Sequence, residues 1–322
     1  MNKIKYLGII INDGQDMFKL QKEEMINKAK RYSNLTYSII AKSYNKILLG
    51  KTFWKGVAHA SILYGAGLMS TTGKELNGLQ VVENGVYRKI LGARSFTANP
   101  ALRRDIGSSL METRIMKARL MLVKSIHEGR NELVKEVLRN IRKDRFGQWN
   151  CTLNMYLRKI GITYDELINM SRNQVDKKVK EYDSKLWERE MSTKSSLRVY
   201  RKYKKAIKEE KDYDNRNSSV LLFQARTNSL NLNGHKKNKV QERICKLCNK
   251  EDEDIIHFIF KCKRLEVKRD TELIRTCNGE DLEDKLGKLL YETEDIERVK
   301  DMLQKLWQLR YHITKTLPKN TQ

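Results

Sequence analysis

The sequence predicts a mainly α-helical protein, with one short β-hairpin at its start and a small Cys/His-rich module near its end. Three observations predict this. Only two prolines, Pro100 and Pro318, occur in 322 residues, so helices are barred almost nowhere. Apolar residues recur three and four apart over most of the chain, the period of a helix with one buried face. The exception is KYLGIIIN at residues 5–12, a β-branched and aromatic run ended by Asp13-Gly14, which reads as a strand entering a hairpin turn.

After the strand, helical patterns run from about residue 18 to 49. They resume through Leu76, Leu79, Val82, Val86 and Ile90, spaced as a core stripe. In FTANPALRRDIG, Asn99 suits the N-cap, Pro100 the first helical position and Gly107 the stop. Ser109 and Glu112 form a capping-box pair ahead of an apolar-rich helix to about His127, ended by Gly129. Asn131 caps the next, with Leu133, Val137, Leu138 and Ile141 on its apolar side. Residues 150–190 read as two helices broken at Gly161. The stretch SSLRVYRKYKKAIKEEKDYDNRNSS passes from basic helix to polar linker, with a boundary near 215. The tail ends in a helix with Ile296, Val299, Met302, Leu306, Leu309 and Ile313 on one face. No internal repeat or low-complexity tract is present.

A chain of this length suggests two or three folded units. Its 39% apolar content is too high for a disordered chain. The formal charge of +25, from 65 Lys and Arg against 40 Asp and Glu, opposes compaction unless a polyanion neutralises it. Nucleic acid, RNA or DNA, is the partner this implies. An anionic membrane would call for a basic amphipathic helix or a lipid anchor, and neither is found. No apolar run approaches the ~18 residues of a membrane span, and the first thirty residues lack a signal-peptide pattern. An intracellular protein, nuclear or cytoplasmic and not secreted, is expected, and there clustered cysteines favour metal over disulfides.

Residues 245–262 read CKLCNKEDEDIIHFIFKC, which sets Cys245, Cys248, His257 and Cys262 in the spacing C-x2-C-x8-H-x4-C. Two ligands three apart fit one tight turn, and a second pair from a short helix completes the tetrahedron that zinc accepts. With all four positions held by protein the expected Zn²⁺ is structural. His235 and Cys277 flank the cluster and are alternatives to His257 or Cys262. Ile255, Ile256, Phe258, Ile259 and Phe260 are expected to pack the module onto the protein, and the EDED acids (251–254) to be solvated.

Two basic stretches stand out. In LRVYRKYKKAIK, Arg198, Arg201, Lys202, Lys204, Lys205 and Lys208 alternate with Tyr200 and Tyr203, cations for phosphates beside rings that stack on bases. HKKNKVQERICKLC adds Lys236, Lys237, Lys239 and Arg243 as a basic lip on the module.

Together these stretches resemble the C-terminal part of non-LTR (LINE-type) retrotransposon reverse transcriptases. KYLGIII resembles the strand of that family's primer-gripping hairpin, so Tyr6, Leu7 and Gly8 would be grip residues. ILYGAGLM and LQVVENGVYRKILGARSFTANPALRRDIG look like the thumb and the segment after it. LLFQARTNSLNLNGHKKN before the cysteines is similar to the family's closing pattern, with Arg226 and Thr227 ahead of a Cys-Cys-His-Cys zinc knuckle. The resemblance implies a thumb-like region (1–95), a helical basic connector (96–215), a linker and zinc module (216–270) and a helical tail (271–322). Fingers and palm would be absent. No paired carboxylates precede Tyr6, and Asp212 and Asp214 read as solvated linker charge, so no polymerase or nuclease activity is expected of this chain alone. A separate palm-containing polypeptide would be a possible partner.

Overall fold

A computed structural model describes residues 3–71, 73–235 and 243–316. Strands β1 (Lys3–Tyr6) and β2 (Ile9–Asn12) pair antiparallel, Tyr6 opposite Ile9. Helices come next in order: α1 (Lys19–Lys42), α2 (Lys46–Phe53), α3 (His59–Ile62), α4 (Gly73–Leu91), α5 (Asn99–Ile106), α6 (Met111–Glu128), α7 (Glu132–Lys143) and α8 (Gln148–Ile160). The chain continues through α9 (Tyr164–Asn169), α10 (Arg172–Ser192), α11 (Arg198–Tyr203), α12 (Asn217–Arg226), α13 (Thr271–Thr276), α14 (Leu282–Tyr291) and α15 (Ile296–Thr316). The fold is mainly α with an N-terminal hairpin, as the sequence predicts. No helix among the described residues is long and apolar enough to cross a membrane.

The chain forms two units, one from residues 1–43, 48–86 and 107–190, the other from 44–47, 87–106 and 191–322. They interleave along the chain, so each of the expected segments 1–95 and 96–215 is shared between the two, while 216–270 and 271–322 belong to the second.

In the first unit the hairpin turns earlier than expected. Leu7 (φ +46°) and Gly8 (φ +83°) form a two-residue turn, both left-handed, as a hairpin whose twist matches its strands requires. Asp13-Gly14 lies beyond β2. Expectation also fails at the start of α6. Leu110 occupies the N-cap without a side-chain bond. The amides of Leu110 and Met111 instead donate to Asp183 Oδ1 (3.2 Å) and Gln80 Oε1 (3.0 Å), tertiary partners that replace the Ser109–Glu112 box, and Glu112 pairs with Lys159. Asn131 does cap α7, accepting from the Val134 amide, and Gly161 (φ +69°) ends α8. The core joins Leu120 and Val123 of α6, Leu138 of α7, Leu153 and Leu157 of α8, Leu167 of α9 and Val175 of α10. Gly67 lets α6 approach, since a Cβ there would sit 2.9 Å from the Ala118 carbonyl oxygen. Arg119, fully buried, donates to the carbonyls of Gly67, Met69 and Trp149. With no carboxylate partner among the described residues, burial lowers its guanidinium to about 10.

Only Leu138 of the expected α7 stripe is buried. Val134, Val137 and Ile141 line an apolar cleft of about 500 Å³ with Met17, Phe18, Leu68, Leu122, Ile126 and Trp149, and Leu133 is exposed.

The second unit is centred on a buried polar network. Asp105 accepts from the Tyr200 hydroxyl (2.5 Å), the Tyr213 hydroxyl (2.7 Å) and Arg104 (3.1 Å), and Arg104 also reaches Glu210 (2.9 Å). Burial pushes the Asp105 carboxyl upward, and Tyr200 and Tyr213 well upward. The polar linker expected at the end of the stretch 195–219 is pinned through Glu210, Asp212, Tyr213 and Asp214. Asp212 pairs with Arg226 at 2.6 Å. Asp214 pairs with Arg216 and Lys300 and accepts from Ser219, so both acids carry structural charge. In α15, Val299, Met302 and Leu306 of the expected stripe are buried, as is Leu303.

Candidate metal centre and basic surface

The metal module lies in the second unit. Its first half is a small ribbon: Ile244 bridges Asp252, the Cys245 amide donates to the Glu251 carbonyl (2.8 Å) and the Asn249 amide to the Cys245 carbonyl (2.8 Å). Asn249 takes the left-handed conformation (φ +54°) that closes the knuckle, one of the few residue types for which this is inexpensive. Cys245 and Cys248 are thereby held on one turn.

The second half depends on a π-helical turn, His257–Lys261. At 3.6 residues per turn, positions five apart on an α-helix stand about 140° apart. A π turn closes i to i+5, here through the Cys262 amide on the His257 carbonyl (2.8 Å), and brings both residues to one side. Arg269 fixes the turn by donating to the carbonyls of Ile259 and Cys262, both at 2.7 Å, and Asp254 Oδ1 accepts from the His257 amide (2.7 Å).

The result is a compact donor set. Cys245 Sγ, Cys248 Sγ, a His257 ring nitrogen and Cys262 Sγ all lie within 4.8 Å of one another, so the four can hold a metal ion. Cys245 and Cys262 sulfurs are 3.9 Å apart, and Cys248 Sγ is 3.4 Å from His257 Nε2. A tetrahedral ion with typical metal–sulfur and metal–nitrogen lengths requires edges of roughly 3.8 and 3.6 Å. His257 Nδ1 faces Glu251 Oε2 at 3.4 Å, a carboxylate placed to orient a ligating imidazole. Burial pushes the Cys245 thiol up to about 12, against the backbone amides of Cys248 and Leu247 that favour its thiolate. A bound cation reverses that balance and deprotonates it.

His235 and Cys277 do not join the cluster. The His235 ring packs on Phe96 with centroids 5.4 Å apart, and Cys277 is buried apart from the donors. The intervening apolar residues do anchor the module: Ile255, Phe258 and Ile259 are buried, and Phe258 meets Trp307 edge-on at 6.0 Å. The EDED acids are not uniformly solvated. Glu253, 1% exposed, accepts two bonds from Arg310 (2.7 and 2.8 Å) and one from the Asn233 amide.

The basic residues read from the sequence divide sharply. Arg226 is buried, held by Asp212 and by the Leu290 carbonyl, so its guanidinium faces the interior and not phosphate. Thr227 is likewise buried. Lys204 is paired with Glu210. Tyr200 is buried, and Tyr203 stacks on Tyr291 at 4.9 Å, so both rings are core and not a platform for bases. Arg198 pairs with Glu283, Arg201 donates to the Ser192 carbonyl and Arg243 pairs with Asp252 at 2.6 Å. Lys202 and Lys205 are exposed. Lys236, Lys237 and Lys239 lie outside the described residues. Tyr6 and Leu7 are exposed at the hairpin tip in the first unit, Leu7 and Gly8 as its turn rather than as strand.

A set of cations that sequence motifs do not mark lies close to the donors along the chain. Lys246, Lys250, Lys263, Arg264 and Lys268 are exposed and have no ion-pair partner among the described residues, while Lys261 stands 3.5 Å from Glu251. Their sequence signal is position: Lys246, Lys250, Lys263 and Arg264 lie within two residues of Cys245, Cys248 or Cys262, while Leu247, equally close, is buried. No family model, curated protein or solved structure matches this chain.

Proposed function

We propose that this chain is a zinc-stabilised nucleic-acid-binding protein of the kind it resembles, the C-terminal part of non-LTR reverse transcriptases. The convergence of four donors within 4.8 Å, with exposed unpaired cations at neighbouring chain positions, carries the reading. Three thiolates and an imidazole suit zinc, and four protein donors leave no position for a reacting water, so the ion is structural. When bound it supplies folding energy. The chain's own residues do the rest. Glu251 orients His257, Arg269 holds the π turn, Phe258 docks on Trp307, and Lys246, Lys250, Lys263, Arg264 and Lys268 face the phosphates. Arg226, Lys204, Tyr200 and Tyr203 build the interior of the unit and have no place in the contact surface.

The test combines elemental analysis with RNA binding. One zinc per chain is expected, with log affinity falling linearly in log salt at about 0.7 per phosphate neutralised. A metal-free protein that folds and binds equally well, or a flat salt response, overturns the proposal. A second reading, a scaffold for protein contacts, draws on the apolar cleft beside α7, and RNA-independent partner binding through that cleft would favour it.

A further inference from the structure

A different face of α7 from the one on the apolar cleft borders a second pocket, about 340 Å³, within the first unit. Lys135, Arg139 and Lys143 succeed one another at four-residue intervals and form one ridge, joined in the lining by Arg142 of α7, His127 of α6 and Tyr164 of α9. Among the described residues, two of these cations are answered by carboxylates. Lys135 pairs with Glu132 at 2.9 Å and Arg139 with Glu136 at 2.6 Å, both acids being well exposed. Among the described residues Lys143 reaches only the Asn140 side-chain oxygen. Arg142 packs over the Tyr164 ring, its Cζ 3.2 Å from the ring centroid. The ring contact restrains the guanidinium in the pocket lining, which lowers the entropy it loses on meeting an anion. Four cations against two carboxylates leave a local excess that matches the charge of about −1.5 to −2 on a phosphomonoester, whose three oxygens suit donors converging from several side chains. An isolated pocket suits the end of a strand better than its middle.

We propose that this pocket binds a 5′-phosphomonoester, presented by a nucleic-acid strand terminus or by a free nucleotide. It extends the nucleic-acid reading to a site separate from the metal module, and the strand-end arm rests on that reading.

The experiment compares full-length zinc-loaded protein binding a 5′-phosphorylated and a 5′-hydroxyl RNA 12-mer of one sequence, with adenosine 5′-monophosphate as competitor. The phosphorylated strand should bind about tenfold more tightly or better. R139Q/K143Q, at exposed positions, should abolish the preference, as should R142Q, while K177Q/K185Q on α10 should keep it. Competition by the mononucleotide at equal concentration identifies free nucleotide as the source; its failure to compete identifies the strand end. Equal binding of both strands, or equal loss of preference in the α10 variant, overturns the pocket assignment and leaves the nucleic-acid reading intact. Binding of neither strand overturns that reading instead, and the pocket then stands or falls on R139Q/K143Q-sensitive binding of the mononucleotide alone.

Discussion

Two stretches of the second unit, 198–226 and 245–268, carry similar mixtures of Lys, Arg and aromatic residues, yet they place their cations in opposite directions. In the first, Arg226 and Lys204 turn inward because Asp212 and Glu210 meet them there, in a network that also takes in Arg104 and Asp105 from α5. In the second, the interior is already filled by sulfur, imidazole and Phe258, so Lys246 and Lys250 face solvent, while Lys261 stands near the exposed Glu251. A cation's role is thus decided by whether an acid waits in the fold. Charge density along the chain does not reveal it.

The largest effect that separates the stretches is metal removal. Structural zinc in small finger peptides is worth roughly 10–16 kcal/mol, far more than thirty residues gain by apolar burial. Chelation, or Cys262→Ser, is expected to open residues 243–269 to protease and to change Trp307 fluorescence, while the Asp105 network survives. A module that resists protease equally with and without metal would erase the contrast.

Arg226→Met tests the other stretch. Removing the guanidinium leaves Asp212 and Glu210 short of a partner, a change that costs roughly 3–5 kcal/mol when a buried pair is broken. A urea denaturation should show that loss with RNA affinity unchanged. Weaker RNA binding at undiminished stability would return Arg226 to the contact surface.

Acid titration sharpens the same point at smaller amplitude. Glu210 is held down to about 2, burial opposing and Lys204, Arg226 and Arg104 prevailing. A depressed carboxylate stabilises the fold above its unfolded pKa near 4.5 and loses that contribution as pH falls from there towards 2. Allowing for solvent screening at its partly open edge, this is about 1–2 kcal/mol. Asp105, pushed up by burial, works in the opposite sense. The difference between wild type and Glu210→Gln therefore isolates the effect, and it should shrink between pH 4.5 and 2. A difference constant over that range would show that Glu210 holds no charge advantage.

Much of this was legible in the sequence where local physics decides. Asn131, Gly161 and the α15 stripe fell where periodicity and capping place them, and C-x2-C…H-x4-C marked the donors. Tertiary partners hid the rest. Ser109 lost its capping role to Asp183 and Gln80, which no local pattern links to α6. The x4 spacing between His257 and Cys262 fits a π turn held by Arg269, and a helix assumed to be α would have set them apart. Leu7 reads as strand in the sequence because Tyr6 and the isoleucines from Ile9 on favour strand and mask the left-handed turn it shares with Gly8.

The smallest expected effect concerns the outward cations themselves. Lys263 and Arg264 are exposed, with side chains free of ion pairs among the described residues, so Lys263→Gln/Arg264→Gln should shift stability by no more than about 0.5 kcal/mol. If each neutralises one phosphate of a single strand, the double change should flatten the slope of log affinity against log salt by about 1.4. The same substitutions at Lys202 and Lys205, the exposed cations of the other stretch, serve as the comparison. A slope change confined to the metal module would place the contact surface there. Equal changes at both would mean that the strand runs over exposed positive charge wherever it stands, and the distinction between the two stretches would then hold for stability and not for binding.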